Sequence, residues 1–452
     1  MSADLKKVFT SAEDLISSVS ASLTFDGSKV TVTDKDELRN SAIDILIYNA
    51  VFAEGETQKT ARKIIRLAGR EVGAKPDSIQ YLYEAMGMEQ TGGYTVPAIN
   101  IRALTYDTAR AIIRAAQKNN SGTFIFEIAK SEIGYTFQRP DEYAVCIIAA
   151  AIKEGYVGPL FIQGDHFQVN AKNFAIDPDK ELESLKALIK EGIEAEFYNI
   201  DIDASTLVDL SRPTVTEQQA PNFEVTAEMS QYIRELEPED VTVSIGGEIG
   251  EVGKENSTEQ ELRAFMDGLE ALIGGKFIGI SKISIQTGTS HGGVPLPDGT
   301  VADANVDFDT IEKLSKVSRE FYGLSGAVQH GASTLPDEAF HLFAEKGASE
   351  VHLATGFQNM VYDSKFLPED LKNQIYDHLR ENMAEEKKDG ETDEQFIYKT
   401  RKKGFGPFKK QMWDLPEENI KGISKELEDR FDYLFKKLKA VNTSEDVKKF
   451  VG

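Results

Sequence analysis

Ile283-Ser284-Ile285-Gln286-Thr287-Gly288-Thr289-Ser290-His291-Gly292 and Ala327-Val328-Gln329-His330-Gly331-Ala332-Ser333 are two short apolar runs, and each closes in His-Gly. A run of β-branched and aliphatic residues that ends in Gly and Ser reads as the end of a strand. Phe308–Phe321, between them, carries apolar residues at helical spacing. Strand, helix and strand over this length make a βαβ unit. Its strands are parallel, so both histidines belong at the same, C-terminal end of a sheet. In parallel α/β folds the chemistry gathers at that end.

The same alternation extends in both directions. Upstream, strands are predicted at Tyr94–Asn100, Thr123–Ile128, Gly158–Gln163, Glu196–Ile202 and Val241–Ile245. The third runs into Gly164-Asp165-His166 and the fifth into Gly246-Gly247-Glu248. Helices at Thr105–Gln117, Asp141–Glu154, Asp179–Glu191, Asn222–Leu236 and Thr258–Ile273 separate them. Downstream, helix Pro336–Lys346 leads to a last strand, Ser349–Ala354. Eight βα units within residues 91–362 predict an α/β fold of the TIM (β/α)8 barrel type, with a doubly wound open sheet as the alternative. Residues 1–90 read as a helical N-terminal extension and residues 363–452 as a helical C-terminal tail. Within the tail, Arg401, Lys402, Lys403, Lys409 and Lys410 form a basic segment. It reads first as a solvated loop, and alternatively as a flap over the barrel mouth, with Lys130 as a second basic candidate there.

Composition narrows the classes of function. A net charge of −24 argues against a nucleic-acid partner, which needs a basic footprint. No apolar stretch approaches the length of a membrane span, and the first residues lack the apolar core of a secretory signal. The single cysteine, Cys146, lies in an apolar helical stretch and excludes an intrachain disulfide. A cytoplasmic protein acting on a small molecule is the expectation. Helical additions at both ends suggest a homo-oligomer, a dimer or tetramer.

Of six histidines, His166, His291 and His330 fall at strand C-termini. Three imidazoles converging at a barrel mouth with one position left open form the pattern of a catalytic zinc site, the alternative being three locally satisfied histidines. Asp165 could move protons beside a Lewis acid or serve as a helix cap. Glu248, among glycines, is a candidate metal or outer-sphere carboxylate. Gly292, Gly331 and Ser333 let the backbone approach an anion. His352 lies inside the last strand and reads as a core residue, and His341 and His378 lie on helices.

Gly164-Asp165-His166, Gly247-Glu248-Ile249-Gly250, Gly288-Thr289-Ser290-His291-Gly292 and Gln329-His330-Gly331-Ala332-Ser333 follow one another along a (β/α)8-like pattern. Residues 92–360 thereby resemble the class II, metal-dependent ketose-bisphosphate aldolases. The resemblance implies a lyase of carbohydrate metabolism that cleaves or forms a ketose phosphate. Zn2+ would be held by His166, His291 and His330 with Glu248 nearby, polarising the ketose carbonyl and stabilising the enediolate. Asp165 would handle the C4 hydroxyl proton, and Glu255 is the nearest match to the glutamate that reprotonates the carbanion. Gly292, Gly331 and Ser333 match positions that bind a substrate phosphate, partly through a monovalent cation. The stretch matching the family's Asn-x-Asp-Thr reads Ala354-Thr355-Gly356-Phe357, so those substrate contacts are absent. A non-catalytic aldolase-like subunit supporting a catalytic partner is the alternative, and isomerisation on the same barrel a third reading.

Overall fold

Eight parallel strands form a closed ring in the structure, a computed structural model that describes residues 5–250, 255–288, 294–296, 301–302 and 306–452. In chain order they are β1 (Val96–Asn100), β2 (Ile125–Ala129), β3 (Gly158–Gln168), β4 (Asn199–Asp203), β5 (Ser244–Glu248), β6 (Lys282–Ile285), β7 (Ala327–Gln329) and β8 (Glu350–Leu353). Each pairs with the next, and β8 pairs with β1 through Glu350–Leu353 against Val96–Ile99. That last pairing makes a TIM barrel and removes the open-sheet alternative.

Helices cover the ring from outside. Their ends follow local chemistry. Thr258 and Glu261 form a capping box at the start of helix Glu259–Ile273, and Gly274 closes it in the left-handed region. Pro140 opens helix Pro140–Glu154 and Gly155 closes it in the same way. That helix, which contains Cys146, is apolar almost all round and buried along nearly its whole length. A helix of this kind must be covered on both sides. The barrel covers one side, and helices Ile43–Phe52 and Gly55–Val72 cover the other.

The first ninety residues therefore complete the core, and they are not purely helical. Leu23–Phe25 and Val30–Val32 form a hairpin, and Ala74–Asp77 joins the barrel sheet in parallel with Gly158–Phe161 of β3. Helix Gln80–Gly87 then closes the floor of the barrel. Ile79, Leu82, Tyr83 and Met86 pack there against Val96, Ala98, Ile125 and Phe161. The tail continues this covering, with helix Glu417–Lys437 lying along helix Thr105–Lys118 and Trp413 packing edge-on against Phe52 of the N-terminal segment. No described helix is long and apolar enough to cross a membrane.

Candidate metal centre

Successive residues of a strand point to opposite faces, yet Asp165 and His166 on β3 both serve the barrel interior. The register of β3 against β4 slips between Gly164 and Phe167, and His166 sits at φ +42°. Such a bulge re-aims a side chain. A non-glycine residue in this region costs on the order of 1–3 kcal/mol and persists only where its neighbours hold it. Asp203 Oδ2 and Glu248 Oε2 do so, at 3.1 and 3.2 Å from His166 Nδ1. The other ring nitrogen, Nε2, is thereby turned toward Asp165 Oδ1, 3.9 Å away.

His330 follows β7 and is oriented by the same logic. Ser284 Oγ on β6 lies 2.9 Å from His330 Nε2, and Nδ1 lies 4.0 Å from Asp165 Oδ1. His352 of β8 completes the group. Its ring stacks on that of His330 with centroids 4.0 Å apart, and its Nδ1 is 3.3 Å from Asp165 Oδ1. Asp165 Oδ1 is buried and accepts no hydrogen bond of acceptable geometry among the described residues.

Beneath this layer the barrel interior is charged. The Lys282 ammonium is 1% exposed and lies 2.7 Å from Gln163 Oε1, 3.0 Å from Asp201 Oδ1 and 2.6 Å from Glu350 Oε1. Tyr83, on the floor helix, donates its hydroxyl to Glu350 Oε2. Gly246 makes room for the pair, because a Cβ there would meet Asp201 Oδ1 at 2.2 Å. Burial pushes Glu127 up to about 7 against the pull of His352, and Asp201 up to about 6 against that of Lys282. Burial also works against an ionised Asp165, but His166, His352 and His330 outweigh it and hold the carboxyl well below its ordinary range. The reverse holds for His166 and His352. Burial lowers them, and the surrounding carboxylates raise both well above the usual histidine value. A divalent ion enters such a site only as protons leave it.

Above the histidines opens a cavity of about 570 Å³. Gly331 lines it at φ +71°, in the left-handed region, and starts a short turn over Ala332–Thr334. The Ser333 hydroxyl accepts from the Ala354 N–H at 2.7 Å, which leaves its own proton to donate. Arg102 lies on the far wall, held by Glu132 at 2.7 Å and Gln358 at 2.7 Å. Beside it is Lys402, brought in by the tail, with Nζ 5.7 Å from the Tyr135 ring centroid. Burial and then Arg102 lower the pKa of Lys402. The basic segment is thus not a wholly solvated loop. Arg401 is buried against Asp363 and Asn359, Lys403 and Lys410 pair with Glu386 and Asp414, and Lys409 pairs with Glu142. Lys130 also lines the cavity but donates to the Gln168 carbonyl at 2.7 Å.

The residues present fit a metal ion. Asp165, His330 and His352 form one buried triad, and His166, Glu248 and His330 another. Imidazole nitrogens mixed with carboxylate oxygens suit zinc and its borderline neighbours. Asp201, Glu350 and His352 form a third triad, but there the Lys282 ammonium already stands between the two carboxylates. At the level of the family the comparisons are decisive. The model of the class-II fructose-bisphosphate aldolases matches residues 80–421. The chain belongs to that family.

Solved structures share the fold of this family member at low identity. A fructuronate-tagaturonate epimerase, UxaE, from Cohnella laeviribosi superposes with a TM-score of 0.58 at 12% identity, over 84% of this chain and 86% of its own. A probable tagatose 6 phosphate kinase from Sinorhizobium meliloti 1021 gives 0.53 at 16% identity, over 78% and 98%. Of the residues the resemblance singled out, Asp165, His166, Glu248 and His330 come together, and Gly331 and Ser333 line the cavity above them. His291 and Gly292 lie outside the described residues. Glu255 is exposed and does not line the cavity. His352 is buried, as a core residue should be, but it faces Asp165 and His330, a role its place inside a strand did not reveal. Glu127, Lys282, Asp203 and Arg102 were not singled out for the places they hold around the centre, whereas Lys402 belongs to the basic segment whose alternative reading was a flap over the barrel mouth.

Proposed function

We propose that the chain is a metal-dependent aldolase acting on a ketose phosphate, with Asp165, His166 and His330 at its catalytic centre. One observation carries the reading. His166 Nε2 and His330 Nδ1, each oriented by a partner on its other nitrogen, both face Asp165 Oδ1 at the C-terminal mouth of a closed barrel. A zinc ion held there would polarise the ketose carbonyl. Asp203, Glu248 and Ser284 fix the imidazoles in the orientation that exposes the ligand nitrogen. Asp165, kept ionised by its neighbours, takes the proton of the C4 hydroxyl as the C3–C4 bond breaks. Glu255 and the residues beside it are the source of the proton that the carbanion carbon receives. His291 joins the ligand set, and Gly292 joins Gly331 and Ser333 in holding a phosphate, through their backbone, the Ser333 hydroxyl and a monovalent cation. Lys402 and Arg102, across the cavity, supply the anion contact that Ala354-Thr355-Gly356-Phe357 does not.

A support subunit without activity has no use for a strained His166 and a buried carboxylate oxygen left without a hydrogen bond among the described residues. The test is elemental analysis of the native protein beside His166→Ala, followed by a screen of ketose phosphates for cleavage. About one zinc or more per chain, lost in the variant, with cleavage of at least one ketose phosphate, is the expected result. A metal-free native protein that gains no thermal stability from added zinc rules the reading out.

A further inference from the structure

We propose that Glu132 is a positioning residue for the substrate, one carboxylate that aligns Asn100 and Arg102 so that this wall of the cavity takes a hydroxyl beside an anionic group. The inference rests on the anion contact given to Arg102 above and adds the residue that sets it. Asn100 ends β1, Arg102 follows it, and Glu132 lies on the short helix Lys130–Tyr135 that continues from β2. Neighbouring strand ends thus bring the three together. Glu132 is 4% exposed, and both of its oxygens are engaged. Oε2 accepts from Asn100 Nδ2 at 2.6 Å and from the Ala129 N–H at 2.8 Å. Oε1 accepts from Arg102 Nε at 2.8 Å and lies 2.7 Å from Nη2.

A glutamate in the first turn of a helix often reaches back to the backbone that starts it. That role accounts for the Ala129 contact and for none of the others. The remaining contacts have consequences in the cavity, which Asn100 and Arg102 both line. Only the amide NH2 of Asn100 can face a carboxylate, so Oδ1 is turned away from it. There Oδ1 is buried and accepts no hydrogen bond among the described residues. A buried acceptor left unmet is costly, and a substrate hydroxyl supplies the missing donor. Arg102 is held from a second side, where Nη1 donates at 2.7 Å to Gln358 Oε1 on the helix that follows β8. A guanidinium carries five N–H groups in one plane. Two partners on its edges therefore set its direction and leave N–H groups for an anion. One turn beyond Glu132, the Tyr135 ring meets Lys402, the other cation of this wall.

Steady-state kinetics with a ketose phosphate that the native protein cleaves in the screen above test the assignment. Glu132→Gln keeps the shape of the side chain and removes its charge. It is expected to raise KM about tenfold or more with kcat within a few-fold, and to leave the zinc content unchanged. The effect should vanish in an Asn100→Ala, Arg102→Met background, because Glu132 acts through those two residues. A residue that only supports the fold would add its loss in either background. An unchanged or lower KM, as release of Arg102 from a competing carboxylate would give, overturns the assignment, and so does an undiminished effect in that background. Glu132→Asp, whose shorter side chain cannot span both partners, is expected to raise KM as well, and a native KM there also overturns it. Thermal unfolding of each variant establishes which of them is folded before its kinetics are read. A native protein that cleaves no ketose phosphate removes the proposed function together with this inference, whereas native cleavage with an unaltered KM in Glu132→Gln removes the inference alone.

Discussion

The buried Lys282 ammonium balances Asp201 and Glu350 at a point where water does not reach. Lys282→Met leaves two carboxylates without their cation, and a loss of about 3–5 kcal/mol is expected in urea unfolding at neutral pH. A smaller effect is expected at Lys402. Lys402→Met removes one charge-assisted contact from the cavity wall and should raise KM for a cleaved ketose phosphate about tenfold with kcat nearly unchanged. An equal loss in kcat would place Lys402 at the reacting atoms instead. Lys282 also marks where sequence reading stops at single residues. His166 and His330 stood out because glycine or aspartate beside a histidine at a strand end is a local signal. Lys282 and Glu350 gave none, since what they meet comes from other strands across the barrel. His352 was rightly buried, but the companions of its ring are set by barrel closure and not by its neighbours in sequence.

Among the elements, β3 shows how a strand boundary and a site can be confused. The expected strand stopped at Gln163, before Asp165, whereas β3 runs to Gln168 and a bulge brings both side chains to the interior. β5 starts later than its apolar run and ends at Glu248, the strand end at which the sequence placed that residue. At β3 hydrophobicity located the strand, and the polar pairing at its end was invisible. The floor helix Gln80–Gly87 was foreseen as a helix but not as the barrel's plug. Tyr83→Phe, which removes the hydroxyl given to Glu350, should cost about 1–3 kcal/mol without moving the metal affinity by more than a few-fold. The tail helix offers a pH test. Burial works to raise Asp432, but Lys436, Asn119 and Lys118 outweigh it and hold it at about 2, against an ordinary value of 3.8. A depressed carboxyl stabilises the fold above its unfolded value and loses that contribution as the pH falls through its folded one. Asp432→Asn should therefore be less stable than wild type by about 0.5–1 kcal/mol at pH 7, with the gap closing as the pH falls from about 4 toward 2.

At the scale of the whole molecule the barrel and its additions form one structure. The N-terminal segment covers the apolar helix Pro140–Glu154 and plugs the floor, while the tail runs from the flank of helix Thr105–Lys118 to the cavity wall at Lys402. The eight-fold alternation was legible because each strand and helix carries its own period. The placing of both ends was not, because it depends on surfaces that exist only once the barrel has closed. The central claim joins this fold to metal-dependent aldol chemistry. It is tested most directly by following cleavage of a ketose phosphate by the same sample before chelation, after removal of the metal, and after zinc is returned. Cleavage that disappears with the metal and returns with zinc is the expected result. Cleavage that survives complete removal of the metal would contradict the claim.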